Sequence, residues 1–281
     1  MTGTQPANAQ QAELWNTQSG PAWVEMQVVM DRMLAPFGDA VLEHGFPGVG
    51  GQVLDIGCGA GATTLAMAGK VGANGGCLGV DISEPLLAAA RAGAERAGAA
   101  NVRFALGDAQ THAFEPAVFD AAISRFGVMF FDDPAAAFSN IRRGVKPGGR
   151  LAFLAWRSPA DNPFMTAATR ALAQLLPPAP PPEPGAPGQF GLADPTRFQQ
   201  VLVEGGWRDV EIAPLDVTSE VSTTDLMAFA TKVGPAAAAL RQADAATVAK
   251  ARALLEQAFA PYVSGDVARF TGGCWLATAL A

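Results

Sequence analysis

The residues best equipped for chemistry lie in one stretch, Asp55-Ile56-Gly57-Cys58-Gly59-Ala60-Gly61-Ala62. Its glycines let the main chain turn sharply and let a ligand rest directly on the backbone. The stretch follows a short apolar run and leads into a helical pattern. In open α/β sheets, ligands bind at this carboxyl end of a strand. Two more carboxylates stand at the ends of the next two apolar runs. Asp81 closes Cys77–Asp81, where a carboxylate accepts hydrogen bonds from both hydroxyls of a ribose. Gly107-Asp108-Ala109 follows Val102–Leu106. There Asp108 is placed to accept from the exocyclic amine of adenine, and the Ala109 amide to donate to a ring nitrogen. An Asx-turn is the plainer reading of Asp108. The shared chemistry is recognition of an adenosine.

Two cofactor classes present an adenosine to such a loop. Gly57-x-Gly59-x-x-Ala62 satisfies the loose dinucleotide fingerprint, a weak signal by itself. Asp55 separates the classes. A dinucleotide brings a pyrophosphate to the turn, which a carboxylate two residues before the first glycine repels. S-adenosyl-L-methionine brings an ammonium and a sulfonium instead, and a negative charge suits both. The alternative for Asp55 is a helix or turn cap with no ligand.

Displacement at a sulfonium depends largely on holding the two reactants in line. A base is needed only if the acceptor must lose a proton. Arg125, in Ser124-Arg125-Phe126-Gly127 at the end of the fourth strand, is a candidate for the methionine carboxylate or an acidic acceptor group. A salt bridge to Asp132 or Asp133 is its alternative. His112, four residues past Asp108, is a candidate base or acceptor contact, against a surface histidine. Two distant histidines and three unpaired cysteines predict no metal site of the zinc type.

These residues need strands that end together. Apolar runs at Val53–Ile56, Cys77–Asp81, Val102–Leu106, Val118–Ser124 and Arg150–Trp156 read as strands. Helical patterns at Ala62–Ala68, Glu84–Ala97 and Pro134–Val145 separate them, with a turn at Pro147-Gly148-Gly149. That alternation predicts right-handed crossovers and a doubly wound, mostly parallel sheet. Residues 12–44 read as one or two helices, and residues 177–188 as a stiff proline-rich connector. Beyond the connector the pattern predicts a helix at Pro195–Glu204, a strand at Val210–Val217, helices at Thr224–Lys232 and Pro235–Ala260, and a last strand at Val267–Leu280.

With 49% hydrophobic and 16% charged residues, the chain has ample material for a core. A net charge of −7 with no basic run longer than Arg142-Arg143 excludes nucleic acid as the expected partner. The odd cysteine count without CxxC spacing, a polar N-terminus and the absence of an uninterrupted apolar span predict a cytoplasmic protein with no membrane span.

Taken in order, Val53–Gly59, Gly79-Val80-Asp81-Ile82-Ser83, Gly107-Asp108-Ala109, Phe119-Asp120 and Lys146-Pro147-Gly148-Gly149-Arg150-Leu151 resemble the class I S-adenosylmethionine-dependent methyltransferases. Within that class they look like the small-molecule subgroup of ubiquinone/menaquinone-biosynthesis type. The resemblance covers residues 50–157. It implies a seven-stranded sheet of order 3-2-1-4-5-7-6 with strand 7 antiparallel. It implies that Asp55 and the loop Gly57, Cys58, Gly59 and Gly61 hold the methionine part. Asp81 would bind the ribose, Ile82 would pack on the adenine, and Asp108-Ala109 would read its edge. Trp15-Asn16, Gly20 and Trp23 are similar to a pattern in which the first helix folds over the cofactor, with aromatic core packing as the alternative.

The resulting division is 1–46 as an N-terminal helical lid and 47–176 as the cofactor-binding core. Residues 177–281 form the connector, a helical substrate cover and the last strands. The expected activity is methylation, on carbon or oxygen, of a small apolar or aromatic molecule, with a homodimer permitted. The rivals are a nicotinamide-dependent oxidoreductase and an S-adenosylmethionine-binding protein with non-methylating chemistry.

Overall fold

Three helices precede the first strand: α1 (Ala9–Thr17), α2 (Ser19–Glu25) and α3 (Gln27–Gly45). The computed structural model describes residues 6–175, 183, 185–233, 237, 240 and 243–281. The N-terminal region is thus cut more finely than its apolar spacing predicts. Pro21 is one cause. A proline ring collides with the carbonyl four residues earlier, here that of Thr17, the residue at which α1 ends.

The sheet is built from β1 (Gln52–Ile56), β2 (Gly76–Asp81), β3 (Val102–Leu106), β4 (Phe119–Arg125), β5 (Val145–Trp156), β6 (Arg208–Ser222), β7 (Val263–Ser264) and β8 (Val267–Leu280). Its order is β3-β2-β1-β4-β5-β8-β6, with two-residue β7 hairpinned onto β8. Apart from β7, this is the expected 3-2-1-4-5-7-6. β8 runs antiparallel to both of its neighbours. Between the strands lie α4 (Ala62–Val71), α5 (Glu84–Ala97), α6 (Pro134–Gly144), α7 (Pro163–Ala171), α8 (Pro195–Glu204), α9 (Thr223–Lys232) and α10 (Ala245–Phe259). Val53, Leu54, Ala121–Ile123 and Ala152–Ala155 are fully buried. Continuous apolar strands of this kind are covered on both faces, as the parallel reading requires.

Three segments depart from expectation. The Pro147–Gly149 turn lies inside β5, which begins at Val145 opposite Phe119 and is bulged before Arg150. Its backbone is held by the C-terminal residue: Gly148 donates to the Ala281 carbonyl and the Ala281 N–H to that of Gly149. β6 extends to Ser222 because β8 pairs along its whole length, from Arg208–Leu280 to Ser222–Val267. Pro214 is tolerated because β6 is an edge strand. The expected helix Pro235–Ala260 is interrupted at residues 243 and 244; α10 follows the break, capped where Asp244 accepts from the Thr247 N–H at 2.7 Å. Most of the proline-rich segment lies outside the described residues.

The N-terminal helices are pinned over the carboxyl end of β2. Asn16 donates to the Ile82 carbonyl at 3.0 Å and accepts from the Glu84 N–H at 3.0 Å. It thereby satisfies one of the free N–H groups at the start of α5. The Ser83 hydroxyl donates to the Trp15 carbonyl at 2.8 Å. A Cβ at Gly20 would stand 2.0 Å from that carbonyl oxygen, so the contact needs a glycine.

Candidate active site

The loop after β1 uses its glycines in different ways. Gly57 has φ +64°, and a Cβ on it would lie 2.6 Å from the Gly127 Cα. It packs backbone against backbone. Gly59 has φ +55°, and a Cβ on it would meet nothing within 4 Å, because the position faces a cavity. Gly61 starts α4 from a left-handed conformation and packs toward Ala90 and Phe104; it does not line the cavity. Cys58 reaches the wall with its sulfur turned inward, 2.8 Å from where a Cβ on Gly79 would sit. Burial holds its thiol well above the usual range, so it is no nucleophile.

The three strand-end carboxylates are held differently. Asp55 is fully buried behind the wall. Its Oδ2 accepts from the Thr63 and Thr64 hydroxyls at 2.7 and 2.6 Å, while Oδ1 has no partner. Burial pushes its carboxyl up to about 6, the threonine bonds and the Arg125 charge pulling the other way. Its place behind Thr63 comes from its position inside β1, which points it under α4. Its charge therefore reaches the cavity as a field and through the α4 N-terminus. Asp81 stands on the wall itself. Its Oδ2 accepts from the Gly59 N–H at 2.8 Å and its Oδ1 from the Ser83 N–H at 2.9 Å. Burial raises its carboxyl, opposed by these backbone bonds.

Asp108, Ala109 and Ile82 also line the cavity. Both Asp108 oxygens accept from the Asn8 side chain at 2.9 Å, and Oδ1 accepts from the Gln110 N–H at 2.9 Å. A carboxylate offers four lone pairs, so one on Oδ2 stays free for a ligand. Trp23 lines the cavity and meets Trp15 edge to face at 5.9 Å.

Arg125 is on the wall without a salt bridge to Asp132 or Asp133. Asp132 is taken by Asn8, and Asp133 caps α6. His112 corrects expectation: it does not line the cavity. The turn after Asp108 folds its ring onto Gly107 and edge to face on Phe114 at 4.8 Å. Asn140 holds that turn through the Ala109 and His112 carbonyls.

The cavity measures about 540 Å³ and runs as one space from the glycine loop to an aromatic chamber. Phe126 and Trp156 stack at 3.9 Å on one side, and Phe164 and Phe270 stack at 3.8 Å on the other. Phe126 holds φ +67°, an unfavourable backbone state for a bulky side chain. Such strain is a mark of functional constraint. Sequence reasoning missed Asp31 and Asn8, which also line the space. A carboxylate among Met30, Met33 and Leu34 was the available signal for Asp31.

Residues 53–149 match the family model described as a methyltransferase domain. The chain is 35% identical over 118 residues to the aklanonic acid methyltransferase of Streptomyces sp. (strain C5), covering 42% of this chain and 54% of that protein. It is 37% identical over 131 residues to the demethylmenaquinone methyltransferase of Corynebacterium kroppenstedtii, covering 47% and 53%. The chain thus spans about half the length of these relatives. Phosphoethanolamine N-methyltransferase 2 of Haemonchus contortus, solved in complex with S-adenosyl-L-methionine, shares the fold. It has a TM-score of 0.61 and 18% identity, over 99% of this chain and 60% of that one.

Proposed function

We propose that this chain, whose residues 53–149 match a methyltransferase-domain family model and whose fold is shared with a solved methyltransferase, transfers a methyl group from S-adenosyl-L-methionine to a small apolar or aromatic acceptor. One observation carries the reading: a single cavity joins the carboxylates suited to an adenosine, Asp81 and Asp108, to an aromatic chamber lined by Phe126, Trp156, Phe164 and Phe270. The volume lies within the range of small-molecule sites.

The residues present fit this cofactor. Gly59 leaves open space where a side chain would intrude. In the proposal Asp81 takes the ribose hydroxyls, Ile82 packs on the adenine, and Asp108 with Ala109 reads its edge. Gly57, Cys58 and Gly59 supply backbone to the methionine part. Asp55 and Gly61 shape that loop from behind, and Trp23 closes over it. The cofactor supplies an electrophilic methyl on a sulfonium. The chain holds the acceptor in line and excludes water, which accounts for much of the acceleration in such reactions. The nicotinamide rival fits less well: Asp81 already occupies the Gly59 N–H with a negative charge, where a pyrophosphate would need a donor.

Carbon and oxygen acceptors both remain within the proposal, as does a homodimer, which light scattering reads. So do the division into lid 1–46, core 47–176 and cover 177–281, and a cytoplasmic location. Among the described residues no helix is long and apolar enough to cross a membrane.

The test is to incubate the protein with S-adenosyl-L-methionine and a panel of planar aromatic phenols and carbon acids, and to follow S-adenosylhomocysteine by mass spectrometry. Turnover with at least one acceptor is expected. Binding without S-adenosylhomocysteine across the panel would move the chain to non-methylating chemistry. Tight NADH binding with none of S-adenosylhomocysteine would move it to the oxidoreductases.

A further inference from the structure

Among the described residues, the cavity wall carries two cations, Arg125 and Lys232. They belong to different sides of the molecule and keep different company. Arg125, at the end of β4, donates from Nη1 to the Leu34 carbonyl at 3.4 Å, and the charges of Asp31 and Asp55 both act on it. Lys232 stands in the last turn of α9, where Phe229, Ala230 and Val233 line the chamber with it. Its carboxylate partner is Glu25, the last residue of α2. Glu25 is not part of the cavity wall. The side chains of Lys232 and Glu25 are 48% and 60% exposed, so their bridge closes the rim from outside.

An ion pair this exposed contributes little and gives way easily. α9 does not depend on it. At the other end of the helix Asp225 pairs with Arg32 of α3 at 3.0 Å, and Leu226 and Ala230 are buried between. Lys232 can therefore exchange Glu25 for another anion while the helix stays in place. A lysine suits the task, with an apolar stem for an apolar wall and a compact charge on a flexible tether. The chamber it borders is otherwise aromatic, walled by Phe126, Trp156, Phe164 and Phe270. An acceptor without charge leaves the ammonium with Glu25. An acceptor that carries a carboxylate at one edge gains an ion pair at the cavity wall, where less water screens it than at the open rim. The other wall charges steer it there: Asp31, Asp81 and Asp108 repel an acid, and Arg125 already answers two carboxylates. We propose that Lys232 is a specificity-determining residue that anchors a carboxylate on an aromatic acceptor, receiving it in place of Glu25. The carboxylate is the handle and not the methylated group; the accepting atom lies elsewhere on the ring system, toward the glycine loop. This rests on the methyltransferase reading above and narrows its acceptor to an aromatic acid.

The test uses two probes of one shape, 2-naphthoate and the neutral 2-naphthamide, titrated by fluorescence into the full chain saturated with S-adenosylhomocysteine. Wild type should bind the naphthoate about fivefold more tightly than the amide, the upper range for a partly exposed ion pair. Lys232→Gln should lose that preference through the naphthoate alone, and Lys232→Arg should keep it. Glu25→Gln removes the competing carboxylate and should bind the naphthoate more tightly than wild type, with the amide unchanged. Equal affinity of wild type for the two probes, or no naphthoate binding, overturns the anchor. So does a Lys232→Gln variant that weakens both probes alike, or a preference that survives Lys232→Gln and disappears in Arg125→Gln, which would put the acid on the sheet side. Naphthoate binding that is weaker in Glu25→Gln than in wild type also overturns it. These outcomes leave the methyltransferase reading standing; failure of wild type to bind S-adenosylhomocysteine in the first step defeats that reading and the anchor with it.

Discussion

The backbone N–H of Gly59 donates to Oδ2 of Asp81 at 2.8 Å, so one carboxylate both faces the cavity and ties the glycine loop to the neighbouring strand. Losing the side chain therefore removes a ligand contact and loosens the loop. We expect Asp81→Ala to weaken S-adenosylhomocysteine binding by about 1.5–3 kcal/mol, the range for hydrogen bonds to a charged group. Asp81→Asn, which keeps one acceptor oxygen for the Gly59 N–H, should lose affinity with less effect on folding. Calorimetry paired with thermal unfolding separates the two contributions, and unchanged affinity in a folded variant defeats the ribose assignment.

Gly57 and Gly59 make a second contrast. Both hold positive φ, so alanine strains either one. At Gly57 the new methyl also collides with Gly127. Gly57→Ala should lower stability by several kcal/mol, as overpacking and backbone strain combine. At Gly59 the methyl enters open cavity. Gly59→Ala should cost about 1 kcal/mol of stability and much more in cofactor affinity. Urea titration and calorimetry on both variants check the pair, and equal stability losses would remove the distinction.

The sheet was readable because its first strands are apolar runs separated by helical patterns, and α5 falls at its predicted limits, Glu84–Ala97. Asp81, Asp108 and Ala109 were readable for the same reason: a strand end fixes where its next residues lie. Asp55 was readable as a charge but not as a buried one, since nothing local says that Thr63 and Thr64 will cover it. His112 misled because a short turn folds its ring onto Gly107, outside the cavity. Asp31 escaped notice because a carboxylate on an amphipathic helix resembles its solvated face. The length of β6 is set by pairing with β8, a contact between distant segments that local periodicity does not carry.

Asp55 links the site to pH. Its folded value of about 6 lies above its ordinary 3.8. Below the ordinary value both folded and unfolded chains are protonated, and the group costs nothing. Between the two values the unfolded chain ionises while the folded carboxyl keeps its proton, so stability falls as pH rises. Above about 6 the cost is constant, about 3 kcal/mol by the usual conversion. Asp31 and Asp81 are raised as well and act in the same direction. Comparison with Asp55→Asn isolates Asp55: the stability difference should move in the variant's favour between pH 4 and pH 7.5 by about 2–3 kcal/mol. Urea unfolding at both pH values measures it. A difference that does not change with pH would mean that burial does not raise this carboxyl.

Asn8 is where the N-terminal segment meets the adenosine end of the cavity. It holds φ 53°, a left-handed state that asparagine tolerates. Its N–H donates to Asp132 at 2.6 Å, its amide to both Asp108 oxygens at 2.9 Å and to Gln110 at 3.1 Å, and its Oδ1 accepts from the Asp132 N–H at 2.6 Å. α1, which follows, spans nine residues, buries none of them and lacks a side-chain cap. A helix so short is marginal alone, so its position depends on this latch and on the Asn16 and Trp15 bonds. Asn8→Ala should raise amide exchange across α1 by roughly tenfold or more, as for a loss above 1.4 kcal/mol, and speed S-adenosylhomocysteine release. Exchange in β1 and β4 should stay unchanged. Asn8→Gly removes the same side chain without the left-handed penalty and should behave alike if the hydrogen bonds, not the backbone, hold the lid. Hydrogen exchange with mass spectrometry reads both variants, and wild-type protection of α1 in each would mean that the segment stands without Asn8.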